Sequence, residues 1–290
     1  MKWPVTIRVV RKTRLTAALL SGTMVPLWAQ EVVTTFAPLL PPLLPQIVAE
    51  TRRQLEADRA FRMRFFEAIA DADRAAVQSA LAAGLDPNTP LPVPADPEFV
   101  RRFTDPRLVY YLTRERNFTG LMLATVLGHL PIVRDLLAAG ADPYRMTKKH
   151  RTYALWLAGK YGHIEIMRCL MGIGPDHESA AWRIEIDLAQ QKAWLWHQDR
   201  IVLFMPISSG RKSHPTPRGE FLVTDKHRTW KSTLYDARMP YFLRLSCGDF
   251  GLHEGALPGY PASHGCIRLP KKAARELFET VPIGTLVVIK

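Results

Sequence analysis

The stretch from Gly251 to Pro270, G-L-H-E-G-A-L-P-G-Y-P-A-S-H-G-C-I-R-L-P, gathers the side chains best suited to chemistry. Cys266 follows His264 and Gly265, and His253 lies thirteen positions before it. A thiol attacks as its thiolate, and an imidazole brought beside it across a loop can take the proton, so a cysteine and a histidine are the minimum kit for nucleophilic acyl transfer. Two other chemistries use the same residues. Cys247, His253, His264 and Cys266 form a Cys2His2 set on paper, although their spacing matches no ordinary zinc motif. A Cys247–Cys266 disulfide would silence the nucleophile.

The elements that must position this stretch are strands. Past Ser179 the pattern has period two: Trp182, Ile184, Ile186 and Leu188 alternate with Arg183, Glu185 and Asp187, and Ala189-Gln190-Gln191 turns the chain into a second run, Ala193 to His197. Ile201–Ile207 and Glu220–Thr224 continue the sheet, and Tyr241–Leu245 leads toward His253. After the cysteine, Ala274, Leu277, Phe278 and Val281 recur at i, i+3, i+4 and i+7, which predicts an amphipathic helix over 271–281, and Thr285–Ile289 predicts a closing strand.

His253, a nine-residue connection and the string Ser263-His264-Gly265-Cys266-Ile267-Arg268 together resemble the signature of the L,D-transpeptidase (YkuD) catalytic domain, a family of peptidoglycan cross-linking cysteine enzymes. The opening W-R-I-E-I-D-L, Ser208-Ser209-Gly210 and the run from Thr216 to Phe221 resemble further landmarks of that domain, so the likeness covers about 182–290. It implies a mainly β, sandwich-like catalytic domain over 179–290 with a helix beside the nucleophile. It implies Cys266 as nucleophile, His253 as its base and His264 as a supporting histidine. Main-chain N–H groups around Gly265 and Cys266 are the expected oxyanion donors. Arg268 is expected to hold a substrate carboxylate, its alternative being a salt bridge within the fold. Ser263 and Tyr260 join it on the substrate side, with local backbone bonding the alternative for Ser263 and Tyr260 at the mouth of the site. The expected substrate is a peptidoglycan stem peptide, with no metal and no organic cofactor.

Upstream the texture is helical and repeated. Gly84-Leu85-Asp86, Gly140-Ala141-Asp142 and Gly174-Pro175-Asp176 recur, and Gly128-His129 returns as Gly162-His163 after 34 residues. That period, and the unit from Thr119 to Pro143, resemble ankyrin repeats, whose paired short helices stack on copies of themselves. An all-α ankyrin array is therefore expected over 59–178, interrupted near 89–116 by a proline-rich insertion that reads as a long loop with a short helix. Ile132, Val133, Leu136 and Leu137, and again Ile164, Ile166, Met167 and Leu170, form apolar stripes that read as core, with Cys169 an inert thiol among them. His129 and His163 read as turn-stabilisers. The array is the expected site for a protein partner.

Residues 1–29 have a basic beginning and an apolar run from Leu15 to Trp28, the layout of a secretory signal peptide and short for a membrane span. Export to the periplasm is expected, with cleavage of this segment favoured over its retention as an uncleaved anchor, and with a linker or capping helix over 30–58 in which the prolines of Ala37–Pro45 favour extended chain. Three cysteines cannot all pair within one chain, so an exported protein keeps at least one thiol.

With 290 residues, 47 % hydrophobic and 23 % charged, the chain can bury a real core and make two domains. Of the net +12, five positive charges fall within the first 29 residues, where there is no acid. The remaining basicity suits an acidic polymer or an anionic membrane face, whereas nucleic acid ranks low because no recognised binding motif is present.

Overall fold

A computed structural model describes residues 40–232, 236–246 and 250–290. The expected signal peptide, the linker before residue 40, and Cys247 lie outside the described residues. The chain divides into two compact units, residues 1–60 and 61–290. Helix α1, Leu40–Ala70, begins inside the proline-rich stretch that reads as extended chain. Pro41 and Pro42 fall in its first turn, where the missing N–H has no helical partner to lose.

Within residues 61–290, the end of α1 pairs with α2, Arg74–Ala82, whose first turn is capped by Asp73 accepting from the Ala76 N–H at 2.9 Å. The insertion holds two short helices, α3 (Pro97–Arg101) and α4 (Pro106–Arg114), in place of the single one expected. Each starts at an Asp-Pro pair: Asp96 and Asp105 accept main-chain N–H groups while proline presets the first helical residue. Helices α5 (Gly120–Val126), α6 (Leu130–Ala138), α7 (Ala154–Tyr161) and α8 (Ile164–Leu170) follow as two further antiparallel pairs.

Ile132, Val133, Leu136, Ile166, Met167 and Leu170 are buried in one helical core with Phe65, Phe66 and Ile69, and Cys169 packs half-buried against it. Gly140 ends α6 with φ of 90°. The matching residue after α8 is Gly172, at φ 70°, and not the Gly174 that the repeated triplet suggests. His129 and His163 directly precede α6 and α8, and the His163 Nε2–H donates to the Val126 carbonyl at 3.1 Å.

The sheet comprises β1 (Trp182–Asp187), β2 (Lys192–His197), β3 (Arg200–Pro206), β4 (Gly219–Lys231), β5 (Arg238–Leu245), β6 (Gly251–Glu254), β7 (Ile267–Leu269) and β8 (Leu286–Ile289), with α9 (Lys271–Thr280) before the last strand. Its order is β3-β2-β1-β8-β4-β5-β6-β7. The pairs β1–β8 and β6–β7 are parallel and the rest antiparallel. Strand β4 pairs with β8 through Gly219–Leu222 and with β5 from Val223 onward, so it carries the sheet round a bend. Ser208, just past β3, then bridges Arg268 on β7 and brings the two ends of the sheet together. This curled sheet encloses one core to which every strand and α9 contribute, Ile184, Leu195, Met205, Val223, Leu243 and Leu277 among them.

Phe221, Leu222 and Val223 are all buried, against simple alternation. Phe221 and Val223 face the sheet's own core, whereas Leu222, on the opposite face, joins the helical core, and Leu286 packs against that core too. A strand covered on both faces loses the polar half of its alternation.

Candidate active site

Strands β6 and β7 run side by side with Leu252 opposite Ile267 and His253 opposite Arg268. Leu252, Ile267 and Leu269 point into the core, which turns His253 and Arg268 to the other face. Cys266 stands in the bend immediately before β7, half-buried and packed at the margin of the sheet's core. Residues separated by a loop in the sequence thus become neighbours across two strands.

His253 is 7 % exposed. Its Nδ1 lies 2.7 Å from the Glu254 carbonyl oxygen, which can only accept, so Nδ1 carries the hydrogen and the neutral ring keeps its lone pair on Nε2. The Phe242 ring packs over it at 6.4 Å. Burial lowers the His253 pKa below the ordinary 6.5, and the charge on Arg268 lowers it further, against an opposing pull from the Glu254 carbonyl. The result is an imidazole that stays neutral near neutral pH, with the Nε2 lone pair left to accept a proton.

The loop carrying Cys266 is pinned from beneath. Gly265 has φ of 114°, a conformation that L side chains rarely adopt. Thr216 Oγ1 donates to the Gly265 carbonyl at 2.9 Å and accepts the Gly210 N–H at 2.8 Å. Ser263 is 2 % exposed, and its hydroxyl accepts the Gly265 N–H at 3.1 Å and donates to the Cys266 carbonyl. Ser263 lies under the loop with its oxygen used by main chain, the local backbone bonding read for it as the alternative to a substrate contact. The Gly265 N–H is already taken, so Gly265 contributes its backbone conformation and not its own N–H.

A second layer holds this cradle. The main-chain carbonyl of Ser209 accepts from the N–H groups of Ala262, at 2.9 Å, and Ser263, at 3.0 Å. Ser209 in turn is gripped by the Gln191 amide, which donates to its hydroxyl at 2.8 Å and accepts its N–H at 2.9 Å. Ser208 Oγ donates to the Tyr260 carbonyl at 2.7 Å, while the Tyr260 ring stands 61 % exposed.

His264 is exposed, and its Nε2 lies 2.6 Å from Arg211 Nη2. A guanidinium only donates, so this His264 nitrogen accepts and the proton sits on Nδ1. Desolvation, then the charges on Arg211, His214 and Arg268, lower its pKa below the ordinary 6.5. Among the described residues no carboxylate pairs with Arg268, whose stem lies against Gly255: a Cβ there would meet Arg268 Cγ at 2.9 Å. The internal salt bridge weighed for Arg268 is therefore not formed with any of them. Thr216, Gln191 and Arg211 escaped the sequence reading as individuals, although the strings that contain Thr216 and Ser209 stood out there as landmarks.

Fold and site together define a mainly β domain with a buried histidine on one of two neighbouring parallel strands and a cysteine in the bend that leads into the other. The family described as the L,D-transpeptidase catalytic domain, YkuD, matches residues 181–289, and the ankyrin repeat family matches residues 116–148. YkuD of Bacillus licheniformis, named an L,D-transpeptidase, is 33 % identical over 115 residues, 39 % of this chain and 67 % of that protein. Its namesake in Bacillus subtilis is 31 % identical over 118 residues, 40 % of this chain and 70 % of that protein. Among solved structures, an L,D-transpeptidase from Mycobacterium smegmatis is 20 % identical with a TM-score of 0.37, over 38 % of this chain and 58 % of that one. A mutant of the Enterococcus faecium L,D-transpeptidase is 31 % identical with a TM-score of 0.35, over 38 % of this chain and 50 % of that one. The match thus spans little more than half of these solved chains. The chain belongs to the L,D-transpeptidase family and carries, before the catalytic domain, an ankyrin repeat.

Proposed function

We propose that the protein is an exported, periplasmic L,D-transpeptidase that works through an acyl-enzyme on Cys266. The observation that carries the reading is the His253–Glu254 hydrogen bond, which leaves the imidazole lone pair on Nε2, on the strand that pairs with the segment directly after Cys266. In this mechanism His253 Nε2 takes the Cys266 proton and the sulfur attacks the carbonyl of the L-centred residue at position three of a stem tetrapeptide. The C–N bond to the terminal D-Ala breaks, and the leaving amine takes the proton from the imidazolium. An acceptor amine then attacks the thioester and gives its proton to His253, and the thiol is restored. Gly265 and the neighbouring main chain shape the oxyanion site. His264 holds the loop through Arg211, Arg268 receives a substrate carboxylate, and Tyr260 borders the entrance.

A stem-peptide acceptor gives a cross-link, a lipoprotein lysine an anchored protein, and water a carboxypeptidase or endopeptidase. The helix pairs flanking residues 116–148 serve as divergent ankyrin units that place the enzyme on a partner protein. The apolar run at Leu15–Trp28 supports export, and the residual positive charge supports work close to an anionic envelope surface. Among the described residues no helix is long and apolar enough to cross a membrane.

Muropeptide analysis of cells carrying the wild-type or the Cys266→Ala protein tests the reading. Cross-links or trimmed stems present only with the wild type identify both activity and acceptor. Identical muropeptides would leave a binding protein with an inactive catalytic domain.

A further inference from the structure

The chain between α6 and α7 is built around one carboxylate. Glu115, at the end of α4, has a side chain 0 % exposed, and it accepts the main-chain N–H groups of Lys149 at 3.1 Å and His150 at 3.2 Å as well as the His150 ring. The Lys148 N–H donates to the Arg116 carbonyl at 3.1 Å, and Thr147 and Thr152 close the base of the loop by N–H bonds of 2.9 and 3.0 Å. The acid beside the basic run is thereby turned inward, while Asp142, earlier in the loop, accepts the Tyr144 N–H at 2.9 Å. Lys148, Lys149, His150 and Arg151 all face solvent, and among the described residues none of Lys148, Lys149 and Arg151 pairs with a carboxylate. Unpaired like charges held together on a rigid loop repel one another, and an anion relieves that cost.

Beside this loop lies a cleft of about 320 Å³ lined by Tyr110, Tyr111, His150, Arg151, Thr152 and Trp156. Its volume is at the low end for a ligand pocket, the size for one large side chain or a small head group. The Tyr110 ring meets Tyr111 at 80° and His150 at 73°. Rings at such angles make a notch and not the flat platform on which a sugar or a base stacks. Lys149 Nζ sits 5.4 Å over the Tyr110 ring and donates to its hydroxyl at 2.8 Å, so the positive rim is continuous with the aromatic wall. A second copy of this chain is a poor occupant, because the net charge of +12 makes copies repel.

We propose that this cleft docks an acidic segment of a partner protein, seating one aromatic or aliphatic side chain between Tyr110 and Trp156 and flanking carboxylates on Lys148, Lys149 and Arg151. The site deepens the partner role given to the helical region and does not depend on the chemistry at Cys266. It makes the proline-rich insertion, through α4, one wall of a recognition surface.

The test measures fluorescence anisotropy of labelled poly(Glu,Tyr) copolymer, poly-glutamate of equal length and soluble peptidoglycan strands with the full chain, at low and at physiological salt. The copolymer is expected to bind more tightly than poly-glutamate, by about fivefold or more, for the seated ring. Lys148→Glu combined with Arg151→Asn, both at exposed positions, is expected to weaken copolymer binding about tenfold with an unchanged melting curve. Tyr110→Leu, which keeps an apolar side chain, is expected to reduce the copolymer to the level of poly-glutamate. Cys266→Ala is expected to bind like the wild type, which separates this site from the catalytic one. Equal binding of the two polymers, or insensitivity to the loop substitutions, overturns the proposal. So does tighter binding of peptidoglycan strands that is lost with the same variants, which would make the cleft a glycan site.

Discussion

His253 Nδ1 is held 2.7 Å from the main-chain carbonyl of Glu254, the very next residue. A strand places successive side chains on opposite faces, so the Glu254 carboxylate turns away while its carbonyl remains within reach of the ring. Neutral tautomer, ring orientation and basic nitrogen are thus set within one dipeptide of β6. A carboxylate in that place would favour the imidazolium, whereas a carbonyl orients the ring and leaves burial free to lower its pKa.

The first prediction concerns pH. Because the folded protein binds a proton on His253 less readily than the unfolded chain does, stability contributed by the neutral ring is present above the ordinary value of 6.5 and is lost as pH falls below it. The acid limb of Cys266 acylation is accordingly expected to lie below pH 6.5. A pH–rate profile of thiol acylation checks this, and an acid limb above 6.5 would contradict the burial argument.

His253→Ala is expected to slow acylation of Cys266 about 10²–10⁴-fold, since an unassisted thiol is mostly protonated at neutral pH. A carbapenem supplies the readout: its strained ring should leave one mass adduct, on the peptide containing Cys266. Chelators should change nothing. Reaction that survives Cys266→Ser and is lost with chelator would restore the zinc reading.

Thr216→Val keeps the shape of the side chain but removes both bonds from a residue 4 % exposed, stranding the Gly210 N–H and the Gly265 carbonyl. Loss of about 2 kcal/mol in stability is expected, with a larger fall in kcat than in KM because the nucleophile loop loosens. Chemical denaturation and steady-state kinetics separate the two. Wild-type kcat in a variant that is merely less stable would confine Thr216 to folding.

A fragment of residues 182–290 contains every residue placed in the site and is expected to keep some activity on soluble tetrapeptide. It also uncovers Leu222, 0 % exposed in the whole chain and buried among the helices. Its melting temperature is therefore expected to fall. In the full chain, Leu222→Ala should cost about 2–5 kcal/mol. A fragment as stable as the full chain would mean that helices and sheet do not share that core.

Local patterns carried a large part of this protein. The alternation at Trp182–Leu188, the stripes around Val133 and Met167, and the S-H-G-C-I-R string all depend on interactions within a few residues, which is the range over which sequence periodicity reports. The Asp-Pro pairs at 96–97 and 105–106 were equally local signals for the two helices of the insertion. What only the tertiary structure decided is long-range. Strand β7 has three residues, too few for its alternation to stand out, and nothing before folding announces that it lies parallel to β6. Strand β8 enters between β1 and β4 from the far end of the domain. Thr216 and Gly265, 49 positions apart, meet only because the curled sheet brings the segment after β3 to β7. Gln191 reads as a turn residue until that closure sets Ser209 against it. Side-chain chemistry is written residue by residue, but which groups become neighbours is set by the sheet order, since pairing across strands depends on global packing and not on local spacing.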